Sequence, residues 1–119
     1  MKIVLAEERT GESLPEQSFN QNVIRFGRDR NECEIAFDNA QFPMVSRKHA
    51  ELRAQDGKWF LVDLNSSYGT FLDGQKVSAP QNISFGNRIQ FGVNGPIYRV
   101  VWFEVTESGY NFQQKQKSS

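Results

Sequence analysis

Cysteine and histidine are almost missing from this chain: Cys33 and His49 are the only ones. A lone cysteine forms no internal disulfide, and one Cys with one His falls short of a structural zinc cage. Disulfide scaffolds and zinc modules are excluded. Net charge is absent as well, because fourteen Lys and Arg balance fourteen Asp and Glu, and the isoelectric point lies near 6.6. The chain therefore lacks the basic stripe that non-specific nucleic-acid binding draws on, and it has no polybasic run to hold an anionic membrane. Long apolar runs are missing too. Ile3–Ala6 is too short for the apolar region of a secretory signal, and no stretch approaches the roughly eighteen residues of a membrane helix. With an unpaired cysteine, the expected location is cytoplasmic. The sequons at Asn65 and Asn82 then read as coincidence rather than glycosylation sites.

What the chain does contain is one domain's worth of core-forming residues. It has 119 residues, 38% of them apolar, including ten Phe, three Tyr and two Trp. No internal repeat or interior linker is visible, so residues 1–107 read as one domain and 108–119, rich in Gln, Lys and Ser, as a polar disordered tail. Thr10–Asn22, polar and carrying Gly11 and Pro15, reads as a loop. Short strand-like runs fill the rest: Lys2–Ala6, Val23–Phe26, Glu34–Phe37, His49–Ala54, Lys58–Leu64, Thr70–Leu72, Lys76–Val77, Asn82–Ser84, Arg88–Phe91 and Ile97–Val105. Ala50, Leu52 and Ala54 alternate with Glu51 and Arg53, as a half-buried strand requires, whereas Trp59–Leu64 is apolar almost throughout and suits a central strand. Asp56-Gly57 and Asp73-Gly74 are strong two-residue hairpin signals. No helical period holds for ten residues. The fold class is all-β, a sandwich or a barrel, with Trp59, Trp102, Phe85 and Phe91 expected in its core.

Three loop segments carry the candidate chemistry. They are Gly27-Arg28, Ser46-Arg47-Lys48-His49-Ala50 and Asn65-Ser66-Ser67-Tyr68-Gly69-Thr70. Arg28 and Arg47 offer planar, permanently charged forks that match phosphate oxygens. Ser46 and Ser67 add hydroxyls, and a turn at Gly69 can present backbone N–H groups to an anion. A phosphorylated side chain, with roughly −1.5 to −2 charges and three acceptor oxygens, suits such a cluster. The plain alternatives are a surface ion pair of Arg28 with Asp29 or Asp63, and a turn-forming hydroxyl at Ser46. Adjacent Arg47 and Lys48 point to opposite sides of an extended chain, which leaves Lys48 solvated. A catalytic Ser46–His49 pair would still need an orienting acid and an oxyanion hole, and no nucleophile-elbow pattern is present, so His49 reads as a ring hydrogen-bonded to loop backbone. Cys33 lies between Glu32 and Glu34, whose charges raise its pKa and leave it unreactive.

In order and spacing these segments resemble one family. Gly27-Arg28, Ser46-Arg47-Lys48-His49-Ala50, Trp59–Leu64, Ser66–Phe71 with Asp73-Gly74, and Gly86–Gly92 look like the forkhead-associated (FHA) domain across about residues 22 to 105. The resemblance implies a two-sheet antiparallel β-sandwich that binds phosphothreonine peptides through loops at one end. It implies that Arg28 contacts the phosphate and Ser46 hydrogen-bonds it. Arg47 and Ser67 take supporting positions, and Gly27, His49 and Gly69 hold the loops in shape. Tyr68 departs from the pattern. The family usually has Asn there, whose amide grips the peptide backbone. Tyr keeps a hydroxyl but lacks the paired donor and acceptor. The departure bears on peptide clamping and sequence preference more than on phosphate binding.

The expected function is thus a non-catalytic phosphopeptide-binding module, without metal or cofactor, for a phosphothreonine-containing protein, with no nucleic-acid or membrane partner. The competing class is a phosphorylation-independent interaction or self-association module on the same fold. An enzyme acting on phosphate esters would need a reactive cysteine or a carboxylate cluster beside His49, and the sequence has neither. FHA domains usually sit beside other domains, so the chain reads equally as a small adaptor or as a piece of something larger.

Overall fold

The short runs pair into eleven strands, described in a computed structural model for residues 1–9 and 12–105. The expected tail at 108–119 lies outside the described residues. The strands are β1 (Lys2–Arg9), β2 (Glu12–Asn20), β3 (Val23–Gly27), β4 (Ile35–Ala36), β5 (Ala50–Gln55), β6 (Lys58–Asp63), β7 (Thr70–Leu72), β8 (Gln75–Lys76), β9 (Gln81–Asn82), β10 (Arg88–Phe91) and β11 (Ile97–Phe103). One sheet has the order β2-β1-β11-β10-β7-β8 and the other β4-β3-β5-β6-β9; all pairings are antiparallel except β3 with β4. The chain is a β-sandwich, and none of its described helices spans a membrane, because the described residues form no helix.

Turn chemistry fixes the hairpins where expected. Asp56 and Gly57 take φ of 54° and 77° between β5 and β6, and Asp73 and Gly74 take 49° and 85° between β7 and β8. Positive φ at both positions gives the turn twist that matches two right-twisted strands. Between the sheets, Phe26 of β3 stacks on Phe91 of β10 with ring centroids 4.5 Å apart. Ile3, Leu5, Ile24, Leu52, Trp59, Leu61, Ile89 and Val100 complete a fully buried core. Each such side chain contributes about 1.5–3 kcal/mol relative to exposure.

Two expectations are corrected. Residues 12–20 are not loop but the edge strand β2, paired along β1 from Lys2↔Asn20 to Arg9↔Glu12. An edge strand needs one hydrogen-bonded neighbour, and its outward side chains can all be polar. Pro15 is accommodated where two residues of β2, Leu14 and Pro15, oppose the single Glu7 of β1, between the Ala6↔Glu16 and Glu8↔Ser13 pairs. Trp102 and Phe85 are not core: they are 43% and 56% exposed. A register shift between Val4↔Trp102 and Leu5↔Val100 inserts an extra residue into β11. The bulge reverses the alternation after Val100, so Phe103 turns inward in place of Trp102. Phe85 rests edge-on against Phe103, with centroids 4.7 Å apart.

Candidate functional site

Strand pairing alone gathers the three loops. Phe26 pairs with Ala50 and Ala50 with Asp63, so the end of β3, the start of β5 and the end of β6 lie side by side. Gly27-Arg28, Ser46–His49 and the loop at 64–69 all emerge at this end. Thr70 pairs with Phe91 in the other sheet, and the Gly92 N–H donates to the Gly69 carbonyl at 2.8 Å. The segment after β10 thereby lies against the loop that carries Tyr68.

His49 joins these pieces from below. Fully buried, it accepts the Ser46 N–H at Nδ1 (3.0 Å) and meets the Gly69 carbonyl at Nε2 (2.8 Å). An acceptor at Nδ1 and a carbonyl at Nε2 together require the neutral tautomer with its proton on Nε2. The loops are thus tied across 20 residues of sequence by one ring. Gly27 has a steric reason: a Cβ there would lie 2.0 Å from the Arg47 carbonyl oxygen. Close backbone approach holds Arg28 beside Ser46, and the Arg28 N–H donates to the Ser46 carbonyl at 3.1 Å. Gly69 needs its freedom for φ of +88°.

The loop at 64–69 is folded around Asp63. Its Oδ1 accepts the hydroxyls of Ser66 and Thr70, both at 2.6 Å, and its Oδ2 accepts the Ser66 N–H at 3.1 Å. Desolvation pushes this carboxyl upward, but the Ser66 and Thr70 hydrogen bonds outweigh it and hold the pKa below the usual range. At the tip, the Ser67 N–H donates to Ser46 Oγ at 3.0 Å. The Ser46 hydroxyl proton remains to donate outward.

The arginines sit on the other side of Ser46. Arg28 pairs with neither Asp29 nor Asp63. Its Nε donates to the Val45 carbonyl and its Nη1 to Asn39 Oδ1, which orient the guanidinium. Arg47 Nη2 donates to Asp29 Oδ2 at 3.0 Å, while Lys48 reaches Glu32 at 3.8 Å. Arg28, Arg30 and Arg47 line one open depression of about 450 Å³ with Asp29, Phe37, Asp38 and Asn39. Tyr68 and Val93, 58% and 60% exposed, flank the Gly69–Gly92 hydrogen bond. The structure therefore brings Arg28, Ser46, Arg47, Ser67 and Tyr68 to one end of the sandwich. Asn39, which holds Arg28, was missed because nothing in its local sequence marks its partner, and Asp29 pairs with Arg47 instead of Arg28. Cys33 is buried under this loop, and burial, more than neighbouring Asp29 and Glu34, raises its thiol pKa.

A pH dependence of stability follows from His49. Burial lowers its pKa from the ordinary 6.5, against the opposing effects of the Gly69 hydrogen bond and Asp63. Between the lowered folded value and 6.5, the unfolded chain binds the extra proton, so stability falls as pH drops below 6.5 and recovers above it. Chemical denaturation from pH 7.5 to 5 should show the decline, with a slope of at most about 1.4 kcal/mol per pH unit from this group.

Residues 24–92 match the FHA domain family. The chain belongs to this family. Among curated proteins it is similar to the sarcolemmal membrane-associated protein of Homo sapiens, 38% identical over 81 residues that cover 60% of this chain and 10% of that protein. It thus spans about a tenth of the length of such relatives. Among solved structures it resembles the FHA domain of an Arabidopsis thaliana hypothetical protein (27% identity, 91% of each chain, TM-score 0.70). It also resembles an FHA domain studied for phosphothreonine-dependent interactions (21% identity, 88% of this chain and 100% of that one, TM-score 0.69), a likeness that shows the fold. FHA domains are non-catalytic interaction modules known for phosphothreonine-dependent binding.

Proposed function

We propose that this FHA domain binds phosphothreonine-containing protein segments, with Arg28 and Ser46 holding the phosphate and Arg47 and Ser67 assisting. The observation that carries the reading is the convergence of Ser46 with the Ser67 N–H at 3.0 Å and with the Arg28 N–H on its carbonyl. One hydroxyl with a free proton, next in sequence to Arg47, stands between the Arg28 segment and the Ser67 loop, and acceptor-only phosphate oxygens suit such a donor set. Tyr68 and Val93, both exposed, precede and follow the Gly69–Gly92 hydrogen bond in the chain, and the peptide flanking the phosphothreonine would lie against them. Gly27, His49 and Gly69 keep the loops in this arrangement. The domain needs no metal or cofactor for binding of this kind. Its partners would be cytoplasmic phosphoproteins in signalling or regulation.

Binding should be micromolar, since two or three charged hydrogen bonds at about 1.5–3 kcal/mol each and modest apolar contact total about −8 kcal/mol. A degenerate phosphothreonine peptide pool on beads is expected to capture the protein, and phosphatase treatment of the beads is expected to abolish capture. Capture that survives the phosphatase would favour a second reading, phosphorylation-independent interaction or self-association. That reading draws on Phe85 and Trp102, exposed at the opposite end of the sandwich from the arginine loops.

A further inference from the structure

The arginine depression contains a carboxylate that a phosphate would have to contend with. Asp29 is the fixed member of its pair with Arg47. Its side chain is 12% exposed, its Oδ1 accepts the Asn31 N–H at 3.0 Å, and its carbonyl accepts the N–H groups of Glu32 and Cys33 at 3.1 and 3.0 Å. Its own N–H donates to the Arg47 carbonyl at 3.1 Å. Arg47 has the free side chain: it is 76% exposed, and among the described residues the Nη2–Asp29 contact is the one hydrogen bond that side chain makes. The Asn31 hydrogen bond lowers the Asp29 pKa, more than the contact with Arg47 does, so the carboxylate is ionised at neutral pH.

We infer that Asp29 is a built-in competitor for Arg47 and lowers the affinity of the site for phosphate. This rests on the reading that the depression takes a phosphorylated side chain. An anion that uses Arg47 either displaces Asp29 from Nη2 or shares the guanidinium with it. In both cases two like charges come within one guanidinium's width, and Asp29 is too firmly held to withdraw. The carboxylate also repels a dianion on Arg28, since both arginines line the same depression. The alternative, that Asp29 merely presents Arg47 to the ligand, predicts the opposite sign: loss of Asp29 would then weaken binding.

The test is an NMR titration of the labelled chain with N-acetyl-phosphothreonine N-methylamide, for wild type, Asp29→Asn, Arg47→Ala and the double variant. Asp29→Asn keeps an oxygen for the Asn31 N–H and is expected to bind roughly three- to fivefold more tightly, about the worth of an exposed ion pair. In the Arg47→Ala background the same change is expected to give less than half that gain. Unchanged or weaker binding by Asp29→Asn, with wild type binding normally, would overturn the competitor role and leave the phosphate site standing. An equal gain in both backgrounds would also overturn it, since only general repulsion would remain. No response from wild type or Asp29→Asn would overturn the phosphate reading itself. Asp29→Ser, which retains a turn-forming acceptor, repeats the comparison should Asp29→Asn lower stability.

Discussion

Arg28→Ala is expected to weaken binding of phosphothreonine peptides by about a hundredfold while leaving the fold intact. Arg28 hangs from the end of β3, and its guanidinium is held by the Val45 carbonyl and Asn39 rather than by any ion pair. Its loss leaves exposed Asn39 to solvent and takes the side-chain donor from the carbonyl of buried Val45, a local cost of about 1–3 kcal/mol that the sandwich core can bear. The binding cost is large because the arginine supplies planar, charge-assisted donors that alanine cannot replace. Two such bonds at about 1.5 kcal/mol each amount to roughly two orders of magnitude in affinity. Calorimetry with a phosphothreonine peptide checks the loss, and an unchanged circular dichroism spectrum at 25 °C checks the fold. Retained affinity would mean that the phosphate, if bound, sits elsewhere.

His49→Ala has the largest expected effect on stability. The ring is fully buried and bonded at both nitrogens, to the Ser46 N–H and the Gly69 carbonyl, and it meets Phe91 edge-on at 5.6 Å. Truncation leaves a cavity in the core and an orphaned backbone donor at Ser46. The Gly69 carbonyl keeps the Gly92 N–H at 2.8 Å, so only one backbone group is wholly abandoned. Together these cost about 3–4 kcal/mol, or roughly 10–20 °C in melting temperature for a domain of this size. Thermal unfolding by circular dichroism measures the drop. Phosphopeptide affinity should fall with it, because Ser46 and the Gly69 turn lose their common anchor. Asn in place of His49 offers one donor and one acceptor but a shorter reach, and is expected to recover only part of the stability.

Local chemistry was the legible part of this molecule. Asp56-Gly57 and Asp73-Gly74 read directly as hairpin turns, since positive φ at two consecutive positions demands such residues. Most strands were visible as runs of alternating or continuous apolar residues, with ends displaced by a residue or two. The edge strand β2 was hidden because its identity lies in pairing with β1, and its apolar residues Leu14 and Phe19, both half-buried, are five apart and set up no period of two. Trp102 was misplaced because a single bulge in β11 reverses which side chains face inward, and no local sequence cue marks the extra residue.

The candidate site divides in the same way. Arg28, Ser46, Arg47 and Ser67 were identifiable as loop residues whose chemistry suits a phosphate, in an order that resembles the FHA family, and Tyr68 as the departure from the family's usual Asn. Their meeting was not readable from spacing: Ser46 and Ser67 are 21 residues apart and touch only because β5 and β6 are antiparallel neighbours. Asp29 was visible as a possible partner for Arg28 but pairs with Arg47, whose backbone lies against it. Asn39 comes from the segment after β4 and reaches Arg28 through the fold alone. Tertiary structure chose these partners.

Phosphate recognition by the Arg28–Ser46–Ser67 cluster is tested most directly by an NMR titration of the labelled chain. The ligands are a degenerate phosphothreonine peptide pool and its unphosphorylated twin. The account predicts shifts at Arg28, Ser46, Arg47 and Ser67–Thr70 with the phosphorylated pool alone. Equal shifts with both pools, or shifts centred on Phe85 and Trp102, would contradict it.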